Sequence, residues 1–115
     1  MKKILFILAL VTSIGSFAQN KNAKATLEVD GICNMCKDRI EKGALKTKGV
    51  KSAIWNLETK KLSVIFNEEK TSVDTISKKV AAVGHDTKIV KATDEAYASV
   101  HPCCRYRDQE VIDEH

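Results

Sequence analysis

Ala25-Thr26-Leu27-Glu28-Val29-Asp30-Gly31-Ile32-Cys33-Asn34-Met35-Cys36-Lys37-Asp38-Arg39-Ile40 changes its hydrophobic period halfway along. Ala25, Leu27 and Val29 alternate with polar Thr26, Glu28 and Asp30, the period-two pattern of a half-buried strand. Gly31 breaks that pattern. From Asn34 to Lys48 the spacing becomes helical, with Cys36, Ile40, Ala44 and Leu45 on or near one face and charges elsewhere. Gly43 inside this helix costs ~1 kcal/mol against alanine, unless a close helix-to-sheet contact uses it. Lys46 and Lys48 suit the C-terminal turn, and Gly49 ends it. Two cysteines thus fall where a strand hands over to a helix.

Alternation resumes through Ala53, Trp55 and Leu57 and, after Glu58-Thr59-Lys60-Lys61, through Leu62, Val64 and Phe66. That pair of runs predicts a hairpin. Thr71 or Ser72 caps a second helix carrying Val73, Ile76, Val80 and Val83, and Gly84 stands at its end. Thr87 to Val90 reads as a last short strand. The order β-α-β-β-α-β predicts an α+β, ferredoxin-like open-faced sandwich, with a four-stranded antiparallel sheet and both helices on one face. Beyond Ala92 the pattern weakens. Thr93-Asp94-Glu95 caps a short helix through Ala96, Tyr97 and Val100, stopped by His101-Pro102, and the final ~8 residues read as a frayed end.

The chain has 115 residues, a net charge of +4, 43% hydrophobic and 30% charged residues, four cysteines and one proline. This fits one domain and excludes collagen, coiled coil and a multi-pass membrane protein. The basic excess is modest and no strand face combines aromatic with basic residues, so nucleic acid is not an expected partner. Met1-Lys2-Lys3 followed by the apolar run Ile4 to Val11 and by Ser16-Phe17-Ala18 has the three parts of a signal peptide cut between Ala18 and Gln19. The run is too short for a permanent span, which needs ~20 residues. The expected organisation is a signal peptide at 1–18, a domain at 19–92 and a cysteine-containing tail at 93–115. Removing 18 of the 115 residues leaves 97, and losing Lys2 and Lys3 lowers the charge from +4 to +2. The expected destination is the periplasm or the exterior, where thiols oxidise unless a partner or a metal holds them.

Two cysteines three positions apart at a helix start aim both sulfurs at one point. Free backbone N–H groups and the helix dipole there favour the thiolate, and Lys37 and Arg39 add positive charge downstream. Convergent thiolates suit soft ions such as Cu(I) or Hg(II), and less completely Zn(II) or Cd(II), which want more ligands. The same pair also suits a thiol-disulfide redox protein. Thioredoxin-like enzymes, however, place a cis-proline against the pair, and the one proline here is Pro102, past the last strand. His101-Pro102-Cys103-Cys104 concentrates further soft donors, with two roles open: metal ligands folded over the first pair, or a disulfide that secures the tail. Met35 reads more simply as a cover over the loop than as a thioether donor.

Gly31-Ile32-Cys33-Asn34-Met35-Cys36-Lys37-Asp38-Arg39-Ile40-Glu41-Lys42 resembles the metal loop and first helix of the heavy-metal-associated domain family. That family includes Atx-type copper chaperones, modules of copper-transporting ATPases and periplasmic mercury-binding proteins. The likeness continues through Gly49-Val50, Ala53, Trp55-Asn56-Leu57, Val64 to Asn67 and Val83-Gly84-His85-Asp86, covering about residues 24–91. It implies the ferredoxin-like fold and a metal held between Cys33 and Cys36 and passed on by ligand exchange. In the family's usual loop, Gly-Met-Thr-Cys-x-x-Cys, a methionine packs inward; here the loop is one residue shorter, with Ile32 as the substitute. His85 stands where many relatives carry an aromatic residue or lysine near the metal, and the resemblance makes it a further ligand or modulator, against the plainer reading of a surface histidine after a helix. The expected protein is a non-enzymatic carrier or scavenger of a soft ion, Cu(I) first and Hg(II), Zn(II) or Cd(II) after it. Its expected partner is a metal-transporting membrane protein or another metal-binding protein that docks transiently. A metal-bridged homodimer is also compatible with the exposed loop.

Overall fold

The computed structural model describes residues 20–115, so the expected signal peptide and its cleavage point lie outside the described residues. Three strands, β1 (Ala23–Glu28), β2 (Val50–Asn56) and β3 (Lys61–Phe66), form an antiparallel sheet in the order β1-β3-β2. The register places Leu27 and Trp55 on either side of Leu62, and Ala25 and Ala53 on either side of Val64. Because side chains alternate along a strand, this register collects Leu27, Ala53, Trp55, Leu62, Val64 and Phe66 on one buried face. Helices α1 (Asn34–Leu45) and α2 (Val73–Ala82) close that face with Cys36, Ile40 and Ala44 from one and Ile76 and Val80 from the other. The Ser72 hydroxyl accepts from the Thr75 N–H and starts α2, one of the two caps the sequence offered.

Trp55 is the largest fully buried side chain, and its indole N–H donates to the Val29 carbonyl at 3.0 Å. Burying about 200 Å² of aromatic surface at about 25 cal/mol/Å² contributes at most about 5 kcal/mol. Gly43 does serve a close contact, though with the end of α2 rather than with the sheet. A Cβ there would lie 2.9 Å from Val83 Cγ2.

The fourth strand expected at Thr87 to Val90 is absent, and the four-stranded sheet is corrected to three strands. The segment makes one isolated bridge, Val29 with Thr87. It then turns back on itself: the Thr87 N–H donates to the Val90 carbonyl and the Thr87 hydroxyl accepts from the Val90 N–H, both at 2.8 Å. A threonine that satisfies the backbone locally removes the groups a ladder would need.

The residues after Ala92 are folded against the domain. Thr93 caps α3 (Asp94–Ala98), as the sequence predicts, and a 3₁₀ turn (Pro102–Cys104) follows. The end expected to fray carries a further short helix, α4 (Gln109–Asp113). Tyr106 explains the order of this segment. Its hydroxyl accepts from the Asp86 N–H at 2.8 Å and donates to the Gly84 carbonyl at 2.7 Å, while its ring stacks on His85 and meets Tyr97 edge-on. Arg107 pairs with Asp86 at 2.7 Å and donates to the Ala92 carbonyl at 2.9 Å. Gly84 adopts a φ of 104°, and a Cβ there would stand 2.6 Å from the Ala96 carbonyl oxygen, so glycine is needed for both conformation and space.

Candidate metal centre

Cys33 is the N-cap of α1, in extended backbone with no side-chain cap, and Cys36 is buried in the first turn. Their sulfurs are 3.2 Å apart. Gly31 lets the loop approach the core: a Cβ there would lie 3.0 Å from both Cys36 Cβ and the Trp55 ring. The 3₁₀ turn of the C-terminal segment brings Cys104 to 3.1 Å and Cys103 to 3.7 Å from Cys33, with Cys103 and Cys104 4.0 Å from each other. All four cysteines are free thiols. Cys33, Cys103 and Cys104 place their sulfurs within 4.8 Å of one another, and among the described residues no other three donors of this kind converge so closely.

Burial alone would raise the Cys33 thiol, but hydrogen bonds from Cys104, from the backbone and thiol of Cys36, and from Cys103 outweigh it and hold Cys33 below its usual value. Burial raises Cys36, Cys103 and Cys104, and donation toward Cys33 adds to that. Cys33 is therefore the first of the four sulfurs to ionise. The expected contribution of Lys37 and Arg39 is not made in this way. Lys37 is engaged by Glu41 and by the Trp55 carbonyl, and Arg39 by the Val83 carbonyl and Ser99, so the neighbouring sulfurs and the Cys36 N–H hold the charge instead.

His85 is fully buried rather than on the surface. Its Nδ1–H donates to the Asp30 carbonyl at 2.8 Å, which fixes the tautomer, and its Nε2 has no partner among the described residues. Burial lowers its pKa and favours the neutral ring. It stands outside the cluster of three cysteines. Met35, read as a cover, sets its thioether 3.3 Å from the Cys103 sulfur, and His101 Nδ1 lies 3.2 Å from the same atom. Sequence reasoning missed the Tyr106 and Arg107 anchors; a tyrosine flanked by two arginines directly after the paired cysteines was the available signal.

Residues 26–86 match the heavy-metal-associated domain. This chain belongs to the heavy-metal-associated domain family. A copper-exporting P-type ATPase of Staphylococcus saprophyticus is 39% identical over 75 residues, covering 64% of this chain and 9% of the ATPase. The mercuric transport protein periplasmic component of Serratia marcescens is 30% identical over 95 residues, covering 79% of this chain and 100% of that protein. The solved CopZ metallochaperone superposes with a TM-score of 0.55 at 30% identity, over 56% of this chain and 98% of its own. The heavy-metal-associated domain here therefore carries the family's α+β fold and a cysteine cluster suited to soft heavy metals. No helix among the described residues is long and apolar enough to cross a membrane.

Proposed function

We propose that this protein binds a soft heavy-metal ion, Cu(I) first, through Cys33 and Cys36 and hands it by thiolate exchange to a metal-transporting membrane protein or another metal-binding protein. The observation that carries this reading is the pair of free sulfurs 3.2 Å apart at the uncapped start of α1. Two soft donors satisfy Cu(I) or Hg(II), and a helix N-terminus offsets the thiolate charge. His85 acts as a support for the loop, through Asp30, three residues ahead of Cys33. The unit 19–92 carries the Cys33-Cys36 pair, and the segment 93–115 is a tail that folds against it. Export after cleavage at Ala18 fits the leader pattern, and the similarity to periplasmic mercuric components supports it.

Hg(II) is the second reading, favoured by a mercuric relative that the chain matches over its whole length. Anaerobic titration of the reduced protein with Cu(I), Hg(II) and Zn(II), beside a Cys33→Ser, Cys36→Ser variant, decides between them. Tight one-to-one binding that the variant loses is expected. An endpoint at half an equivalent marks a metal-bridged homodimer. Absence of cysteine-dependent binding overturns the proposal, and turnover of a disulfide substrate replaces it with the redox reading.

A further inference from the structure

We infer that the C-terminal segment is a ligand-bearing strap: Cys103 and Cys104 complete a three- or four-sulfur site with Cys33 and Cys36, and a bound ion leaves only after the strap gives up its sulfurs. The inference rests on the binding role of Cys33 and Cys36 and assigns new ligands and a release step to that site.

Three features carry it. The first is spacing. Sulfurs bound at about 2.3 Å around one ion stand about 3.8 Å apart in a tetrahedron. Cys33, Cys103 and Cys104 stand 3.1 to 4.0 Å apart, and Cys36, outside that group of three, lies 3.2 Å from Cys33. Shifts of under about 1 Å, small for side-chain torsions, bring the three to bonding geometry, and Cys36 joins as a fourth by a larger movement. The second is the donor set. Cys33, Cys103 and Cys104 offer sulfur alone at one point, the softest donors a protein has, and such a set matches a soft cation. Met35 and His101 set further soft or borderline donors against Cys103, which extends the same chemistry outward.

The third is that the strap is built rather than resting on the surface. Tyr106 bonds to both Asp86 and Gly84, Arg107 grips Asp86, and Val100 is buried against Gly84. These anchors lie on both sides of the Cys103-Cys104 turn and leave Cys104 only 1% exposed. Beside the sulfurs a cleft of about 250 Å³ lined by Met35, Asp38, Arg39, Lys42, His101 and Cys104 is open, which gives an incoming thiol a side from which to approach.

Release is then an exchange without redox change. A thiolate from the acceptor forms a bond to the ion as the bond from Cys103 or Cys104 breaks. The leaving sulfur keeps its electron pair and takes up a proton, which balances the one lost by the acceptor's thiol. Cys33 and Cys36 follow in the same way.

The test compares wild type, Cys103→Ser with Cys104→Ser, and Cys33→Ser with Cys36→Ser, each as the full reduced chain loaded with one equivalent of Cu(I). X-ray absorption at the copper edge counts bound sulfurs, and a competing dithiol measures the transfer rate. Three or four sulfurs in wild type are expected, falling to two in the Cys103, Cys104 variant, with at least tenfold faster transfer. Two sulfurs in wild type, with transfer unchanged by the Cys103, Cys104 variant, overturn the strap while leaving the Cys33-Cys36 site standing. No Cu(I) retained by any form overturns the binding role beneath it. Urea unfolding of the metal-free serine variants checks that each one folds.

Discussion

Tyr106→Phe removes one oxygen atom and leaves the ring that stacks on His85 and meets Tyr97. That oxygen is the partner of two buried backbone groups, the Asp86 N–H at 2.8 Å and the Gly84 carbonyl at 2.7 Å. Phenylalanine offers neither an acceptor nor a donor, so both groups lose this hydrogen bond. An unsatisfied buried donor or acceptor costs about 1–3 kcal/mol, so the pair costs about 2–6 kcal/mol. Each 1.4 kcal/mol is a factor of about ten, and the fraction of molecules with the strap lifted rises by roughly 30-fold or more. Cys104, 1% exposed when the strap is down, reports that opening. The expected result is alkylation of Cys104 at least tenfold faster than in wild type, with urea unfolding showing a loss of the same size if the strap and domain unfold together. Alkylation within twofold of wild type and stability within about 0.5 kcal/mol would refute the assignment of Tyr106 as the anchor.

The remaining predictions concern the frame around the site. Gly84→Ala forces a residue with a Cβ into a φ of 104° and drives that atom to 2.5 Å from Val100 Cγ1 and 2.6 Å from the Ala96 oxygen; urea denaturation should show a loss of about 2–5 kcal/mol. Burial pushes the Asp86 carboxyl up, but the hydrogen bonds from Arg107 and the Ala92 N–H outweigh it and hold the group below its usual value. The stability gained is therefore complete above about pH 4 and is lost as pH falls through the lower folded value, and Asp86→Asn should abolish that part of the acid sensitivity in a urea series from pH 7 to pH 2. Glu41 accepts the Trp55 N–H at 2.8 Å on the outer edge of β2. Glu41→Ala should lower stability by about 1–3 kcal/mol while leaving Cu(I) affinity within twofold of wild type, measured by chelator competition.

The element order was legible because each of the first five elements carries its own period. Alternation in Leu27 and Val29, Ala53 and Trp55, and Leu62 and Val64 is a local property of a strand buried on one face, and Ile76 and Val80 mark a helix in the same local way. Two readings failed for opposite reasons, one local and one distant. Thr87 to Val90 has strand-forming residues, but the Thr87 hydroxyl closes a turn that no hydrophobic pattern reports. The end of the chain read as frayed because its anchors, Tyr106 and Arg107, show their value only against Asp86, some twenty residues earlier.

Sequence alone determined the strand and helix order and the place of Cys33 and Cys36 at the start of a helix, since both depend on spacings of a few residues. It also named Cys103 and Cys104 as soft donors with two roles open. Only the tertiary structure brought those two, 70 and 71 residues from Cys33, to within 4 Å of its sulfur. It also buried His85 beneath Tyr106 and turned Lys37 and Arg39 to other partners. Contacts across such separations depend on how two surfaces fit and on where buried hydrogen-bonding groups find partners, and neither leaves a periodic trace in the chain.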